Sequence, residues 1–370
     1  MSTLLWVVLT PIALGLIALG AWFLKAIVQG AVEGWRSASD EDADDTYETP
    51  AEVLAEGFLP AARQNTDHAC AEPEELVRSG AAAKAGDWQP AAALLAETGR
   101  DWERRALYSE RLAGIAATDD AWLLAWEAAR PGDPDAALLR ARSTVFLAWE
   151  IRGAKRAQYT TGEQFEGFRR TLIRSREENA RAAELNPDDP APYISEIWTA
   201  LGLGYPQADM DRIWDEITAR APHHYEAHFS ALQYWCGKWR GSEKLAMDFA
   251  KKAADAAPLG SLIKVFPLIA HYEHDESDDA DVERSPEMHA LVDAALADAH
   301  AADPAHPRLA EVRHLLAYYL SLQDRDEAAM EQFRLVDGYV DALPWRYWND
   351  KAERYCRLRD ETVLRVVENR

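Results

Sequence analysis

The sequence predicts an all-α protein, an α-solenoid of about seven helical hairpins behind an N-terminal transmembrane helix. Three observations predict it. Alanine is abundant while β-branched runs are scarce, so intrinsic propensity favours helix. Apolar residues recur at helical spacing, as in Leu123, Trp126 and Ala129, in Ile194, Ile197, Trp198 and Leu201, and in Val312, Leu315, Leu316 and Tyr319. Helix-breaking prolines recur at Pro187, Pro222 and Pro258, intervals of 35 and 36 residues that match one helix–turn–helix unit.

A chain of 370 residues is long enough to bury a core without disulfide or metal staples. Its 63 acidic against 40 basic side chains give a net charge of −23, which argues against binding a nucleic-acid backbone. Cys70, Cys236 and Cys356 are far apart and form no CxxC pair, so they read as reduced, buried thiols.

From the N-terminus, residues 1–35 form the anchor. The run Leu4 to Leu24 carries no charged side chain, and as a helix it covers about 30 Å, the thickness of a hydrocarbon core. No basic residue precedes it and only Met1 to Thr3 stand before it, which favours an uncleaved span through the lipid bilayer over a signal peptide. Lys25 and Arg36 follow it, placing the rest of the chain on the cytoplasmic side of the cell membrane. Residues 36–50 read as an acidic flexible linker, whose Asp40 to Asp45 cluster is repelled by anionic lipid.

Residues 51–370 then form the helical body. Thr49-Pro50, Asp133-Pro134 and Asp189-Pro190 are helix starts, each a capping side chain before a first-turn proline. Gly86-Asp87-Trp88 punctuates a tight turn between alanine-rich helices. The segment from Glu273 to Glu283 has too many acids for a helix interior and lacks calcium-loop spacing, so it reads as an acidic inter-helix loop.

The joints AAELNPDDPAPY, ITARAPHHYEAH and AADAAPLGS resemble those between tetratricopeptide repeats. Ile194, Ile197 and Leu201 keep that family's first-helix spacing, although Trp198 stands where it has a small residue; Ala246, Ala253 and Pro258 fit a second helix. Leu315 and Tyr319, with Ala329 and Phe333, match a further repeat. The block ALQYWCGKWRGSEKLAMDFAKKAADAAPLGSL is also similar to uncharacterised actinobacterial proteins of tetratricopeptide-like fold. The resemblance implies a fold and carries no catalytic residue.

Two constellations carry candidate chemistry. Trp235 and Trp239, four residues apart, are expected to stack along one helix face beside Lys238 and Arg240. With Tyr234 and Trp198 they make a candidate interaction surface of large aromatics and a cation, Arg240. His224 and His228, with His271 and His274, offer spacings at which a metal-dependent hydrolase would place ligands, although Glu226 is one position too late for HExxH. Gly202 and Gly204 give only GxG, and neither a phosphate loop nor a GxSxG elbow is present.

The expectation is a membrane-anchored scaffold without enzymatic activity, cofactor or metal, binding proteins of basic surface through its acidic field. The alternatives are the histidine-based hydrolase and a structural spacer or dimerisation module.

Overall fold

The computed structural model describes residues 47–153, 161–274 and 280–370. The chain is all-α: no strand forms among the described residues, where one isolated bridge pairs Asn65 with Tyr339. The expected anchor, 1–35, and linker residues 36–46 lie outside the described residues. Among the described residues no helix is long and apolar enough to cross a membrane. The body read as a single stretch from 51 to 370 divides into two compact units: Pro73–Pro222, and residues 47–72 together with His223–Arg370.

Helix α1 (Ala51–Ala55) follows Pro50 and belongs to the second unit. The first unit comprises α2 (Glu74–Lys84), α3 (Gln89–Thr98), α4 (Trp102–Thr118), α5 (Ala121–Ala129), α6 (Pro134–Arg152), α7 (Gly162–Leu185), α8 (Ala191–Leu203) and α9 (Gln207–Arg220). Local chemistry sets these bounds. The Asp133 carboxylate accepts from the amides of Asp135 and Ala136, and Pro134 supplies the first helical residue. Gly86, at φ +89°, turns the chain between α2 and α3 as a side chain would resist doing. Thr161 and Gln164 form a reciprocal capping box at the start of α7.

Helices α2, α4, α6 and α8 pack in succession, and α3, α5, α7 and α9 each pack back on the helix before them. Trp126, fully buried, stacks on Trp88 at 5.6 Å amid Leu95, Leu112 and Leu139. Leu123 is buried as its stripe predicts, whereas Ala129, the last residue of α5, is exposed. Arg105, also buried, bridges Asp189 at 2.7 Å and Asp135 at 2.6 Å, tying α4 to the joint before α8. At Gly202 a Cβ would overlap the side-chain tips of Leu172 and Phe168, so glycine lets α7 and α8 approach closely without moving them.

The second unit continues with α10 (Tyr225–Trp235), α11 (Glu243–Ala256), α12 (Phe266–Tyr272), the one-turn α13 (Ala280–Glu283), α14 (Pro286–Ala301), α15 (Leu309–Leu322), α16 (Asp326–Val336) and α17 (Lys351–Glu368). Pro187, Pro222 and Pro258 each stand two residues after the end of a helix, α7, α9 and α11 respectively. Here α10 packs with α11 and α12, α12 meets α15 through its ring contacts, and α15 packs with α16 and α17.

Residues 47–72 form a strap fastened to the C-terminal helices. The Asn65 amide donates to Gly338 O and the Val340 amide to Asn65 O, at 2.8 and 2.9 Å. Arg359, with no exposed surface, donates to Leu59 O at 2.8 Å and to Asp337 at 2.7 Å, and pairs with Asp360. Tyr47 Oη donates to Asp360 at 2.8 Å, beneath the Arg357 guanidinium. The expected linker is therefore corrected at its end: Tyr47 is already packed on α17, because a phenol and a carboxylate both gain partners there. Cys236 and Cys356 are buried as expected, but Cys70, on the strap, is exposed.

Arg359→Ala leaves Asp337 and Asp360 without their shared counter-charge. We expect about 3–5 kcal/mol of destabilisation by urea denaturation, with faster hydrogen exchange at the Asn65 and Val340 amides. Unchanged exchange there would show that the knot does not hold the strap.

Candidate functional site

Of the candidate surface, Tyr234 to Arg240 lie in the second unit and Trp198 in the first. Trp198 is half-buried on α8, edge-on to Trp149 at 6.2 Å. Its bulk fills space against α6. Tyr234 is fully buried and is corrected to a core residue. The expected stacking of Trp235 on Trp239 along one helix face is corrected too, because α10 ends at Trp235. Trp239 stands in the turn that follows, half-buried like Trp235, and Arg240 is exposed with no ionic partner among the described residues.

The turn is rigidly built. The Trp239 and Gly241 amides donate to Cys236 O at 3.0 and 3.2 Å, and the Ser242 amide donates to Trp235 O at 3.0 Å. A Cβ at Gly241 would overlap the Trp235 carbonyl, so the fold of the turn requires glycine there. Ser242 then caps α11 through its bond from the Leu245 amide. From the neighbouring element, His274 Nε2 accepts from the Gly237 amide at 3.1 Å.

Beneath the turn lies Glu273, whose side chain is fully buried. Its Oε2 accepts from Lys238 Nζ at 2.7 Å; its Oε1 accepts from Gln233 Nε2 at 2.9 Å and from Tyr347 Oη at 2.5 Å. Burial raises this carboxyl's proton affinity, but the Lys238 ammonium and the three donors outweigh it and hold it below the usual carboxylate range. Burial and the same carboxylate push the Tyr347 phenol well above its ordinary value. Glu273 was expected in a solvated acidic loop. The signal for it is the apolar run that precedes it: Glu273 directly follows α12, in which Phe266, Leu268, Ile269, Ala270 and Tyr272 are all buried, so the chain is still in the core where the acidic run begins. At the other end of that segment Glu283 is buried as well, bonded to His271 Nε2 at 2.9 Å.

The four candidate metal ligands are each engaged locally. His224 caps α10 by accepting from the Ala227 amide, His228 Nδ1 bonds His224 O at 2.8 Å, and His274 Nδ1 bonds Ala270 O at 2.8 Å. Among the described residues no group of three or more His, Cys, Asp or Glu side chains is placed to hold a metal ion. No family model matches the chain, and neither a curated protein nor a solved structure is similar to it.

Glu273→Ala leaves Lys238 without its buried counter-charge, and we expect about 3–5 kcal/mol of destabilisation together with faster hydrogen exchange at Gly237. Arg240→Ala, on the exposed side of the same turn, should change stability by less than about 0.5 kcal/mol.

Buried histidines give the second unit a pH dependence. Burial pushes His228 and His314 down to about 4, from 6.5. His314 Nδ1 accepts from Trp345 Nε1 at 3.3 Å, a bond that needs the neutral ring. Below pH 6.5 the unfolded chain takes up protons that the folded chain refuses. Stability is thus complete above 6.5 and falls towards pH 4, by about 1.4 kcal/mol per pH unit for each histidine. Urea midpoints measured across that range should fall less steeply for His314→Gln than for the wild type.

Proposed function

We propose that the chain is a membrane-anchored helical-repeat scaffold whose body recruits a protein partner through the Trp235–Arg240 turn. The observation that carries the reading is the bracing of that turn: two half-buried tryptophans, and an arginine with no ionic partner among the described residues, flank Lys238, which is bonded to the buried carboxylate of Glu273. A pre-organised aromatic and arginine surface loses little entropy on binding, which is how a small patch becomes an interface anchor.

The solenoid reading, with its resemblance to tetratricopeptide repeats, draws support from the alternation of packing in the first unit. One row of helices stacks while every second helix folds back, as in α-hairpin repeats. The anchor reading rests on the uncharged run from Leu4 to Leu24, and the cytoplasmic orientation on Lys25 and Arg36. A partner of basic surface suits the excess of carboxylates.

The test compares wild-type chain, Trp239→Ala and Arg240→Glu, each captured from membranes in mild detergent. A partner that the turn recruits should lose about 30-fold in affinity on truncation of a hot-spot tryptophan. Arg240→Glu, whose side chain is in solvent, controls for misfolding. Recovery of the same neighbours with equal affinity by all three proteins would refute the reading.

A further inference from the structure

We propose that the outward face of α7, between Phe165 and Arg176, docks on the anionic headgroups of a phospholipid bilayer. The first reason is a reversal of charge. Arg169, Arg170, Arg174 and Arg176 fall within eight residues that contain no acid, in a chain whose carboxylates outnumber its cations 63 to 40. Two of the four are satisfied: Arg174 pairs with Glu178 at 2.8 Å, and the Arg176 guanidinium lies 5.6 Å from the centre of the Tyr205 ring. Arg169 and Arg170 are exposed, and among the described residues neither makes an ion pair, side-chain hydrogen bond or ring contact.

The second reason is apolar surface in the same place. Phe165, Arg169 and Ile173 recur every four residues along one stripe, with Phe165 39% and Ile173 48% exposed. These side chains are not waiting for the core. The inward face of α7 is already filled by Phe168, Leu172, Ser175 and Asn179. Contact of Arg174 with Thr144 covers the flank towards α6, and Gly202 seats Phe168 and Leu172 against α8. On α6, Leu147, between the rungs that Thr144 and Ile151 make with α7, is 37% exposed and extends the patch.

A helix face is convex, so it suits a plane of headgroups better than a peptide, which needs a groove. Phe165 and Ile173 would enter the boundary between headgroups and acyl chains, while the arginine stems lie along them and the guanidinium forks meet phosphate oxygens. Glu166 and Glu177, exposed at either end, limit the charged stripe to about three turns of helix. Elsewhere the acidic body is repelled by the same lipids, so the patch orients what it binds. The choice of occupant rests on the proposed anchor only in that the anchor keeps the body beside a bilayer.

The test uses the full chain with Ile173→Cys labelled by an environment-sensitive fluorophore, in a Cys70→Ser background. It is reconstituted with vesicles of phosphatidylcholine alone or with added phosphatidylserine. The expected result is a blue shift and quenching by brominated lipid only where phosphatidylserine is present. High salt should abolish both, and Arg169→Glu with Arg170→Glu should lower the phosphatidylserine-dependent signal at least about tenfold. Free inorganic phosphate should leave the label unmoved. A label that stays in water beside phosphatidylserine, an unchanged signal from the reversed-charge variant, or a shift produced by phosphate or by an acidic protein instead would each overturn the proposal. Flotation with neutral vesicles reads the anchor separately. Were the chain not to float with them, co-flotation with phosphatidylserine vesicles would still decide the patch.

Discussion

A charge taken out of water must find its counter-charge, and in this protein that requirement decides which distant segments meet. Arg359 is the clearest case. Its guanidinium has no exposed surface, and its acceptors come from α17 itself, from the end of α16 and from the strap some 300 residues earlier. Arg105 does the same in the first unit, joining α4 to residues at the starts of α6 and α8. Glu273 does it with the sign reversed, gathering donors from α10, from the turn after it and from the segment before α17. Apolar contacts between helices are tolerant of sliding, whereas a buried ion accepts one geometry. These sites therefore fix register where apolar packing alone would leave it loose.

The helical class was legible because it rests on local chemistry. Asp133-Pro134 starts a helix through two amides and a fixed dihedral, and the prolines at 187, 222 and 258 end helices for equally local reasons. The stripe Val312, Leu315, Leu316 and Tyr319 is buried throughout because one helical face meets the core. What sequence reasoning missed depends on partners far along the chain. Glu273 opens a run of acids, and composition places it in solvent; only Lys238, Gln233 and Tyr347 make its burial tolerable. Tyr47 falls within the stretch read as acidic linker, yet Asp360 and Arg357 fasten it to α17.

The candidate turn shows both kinds of legibility in a few residues. Trp235, Trp239 and Arg240 are noticeable in the sequence for their size and charge, and Arg240 is exposed. Their geometry follows from Gly241, which lets the backbone close on the Trp235 carbonyl and so ends α10 early. Tyr234, one residue away, points into the core and belongs to the packing rather than the surface. Periodicity could have separated the two, since residues one apart on a helix lie about 100° from each other.

Electrostatics then links the fold to its surface. Several arginines are engaged internally: Arg105, Arg140, Arg308 and Arg359 each bridge carboxylates with little of their own surface exposed. Such pairing consumes carboxylates together with cations, so the acidic excess of the composition, 63 acids to 40 bases, stays on the protein. Against that field an arginine without an ionic partner is conspicuous, and among the described residues Arg169, Arg170 and Arg240 have none, each beside exposed or half-buried apolar side chains. A cation that folding does not use, set next to apolar surface that folding does not bury, adds little to stability. On the readings proposed above its effect is on what the surface attracts: the sign of the charge favours anionic chemistry on α7, and the shape of each site a plane or a protein.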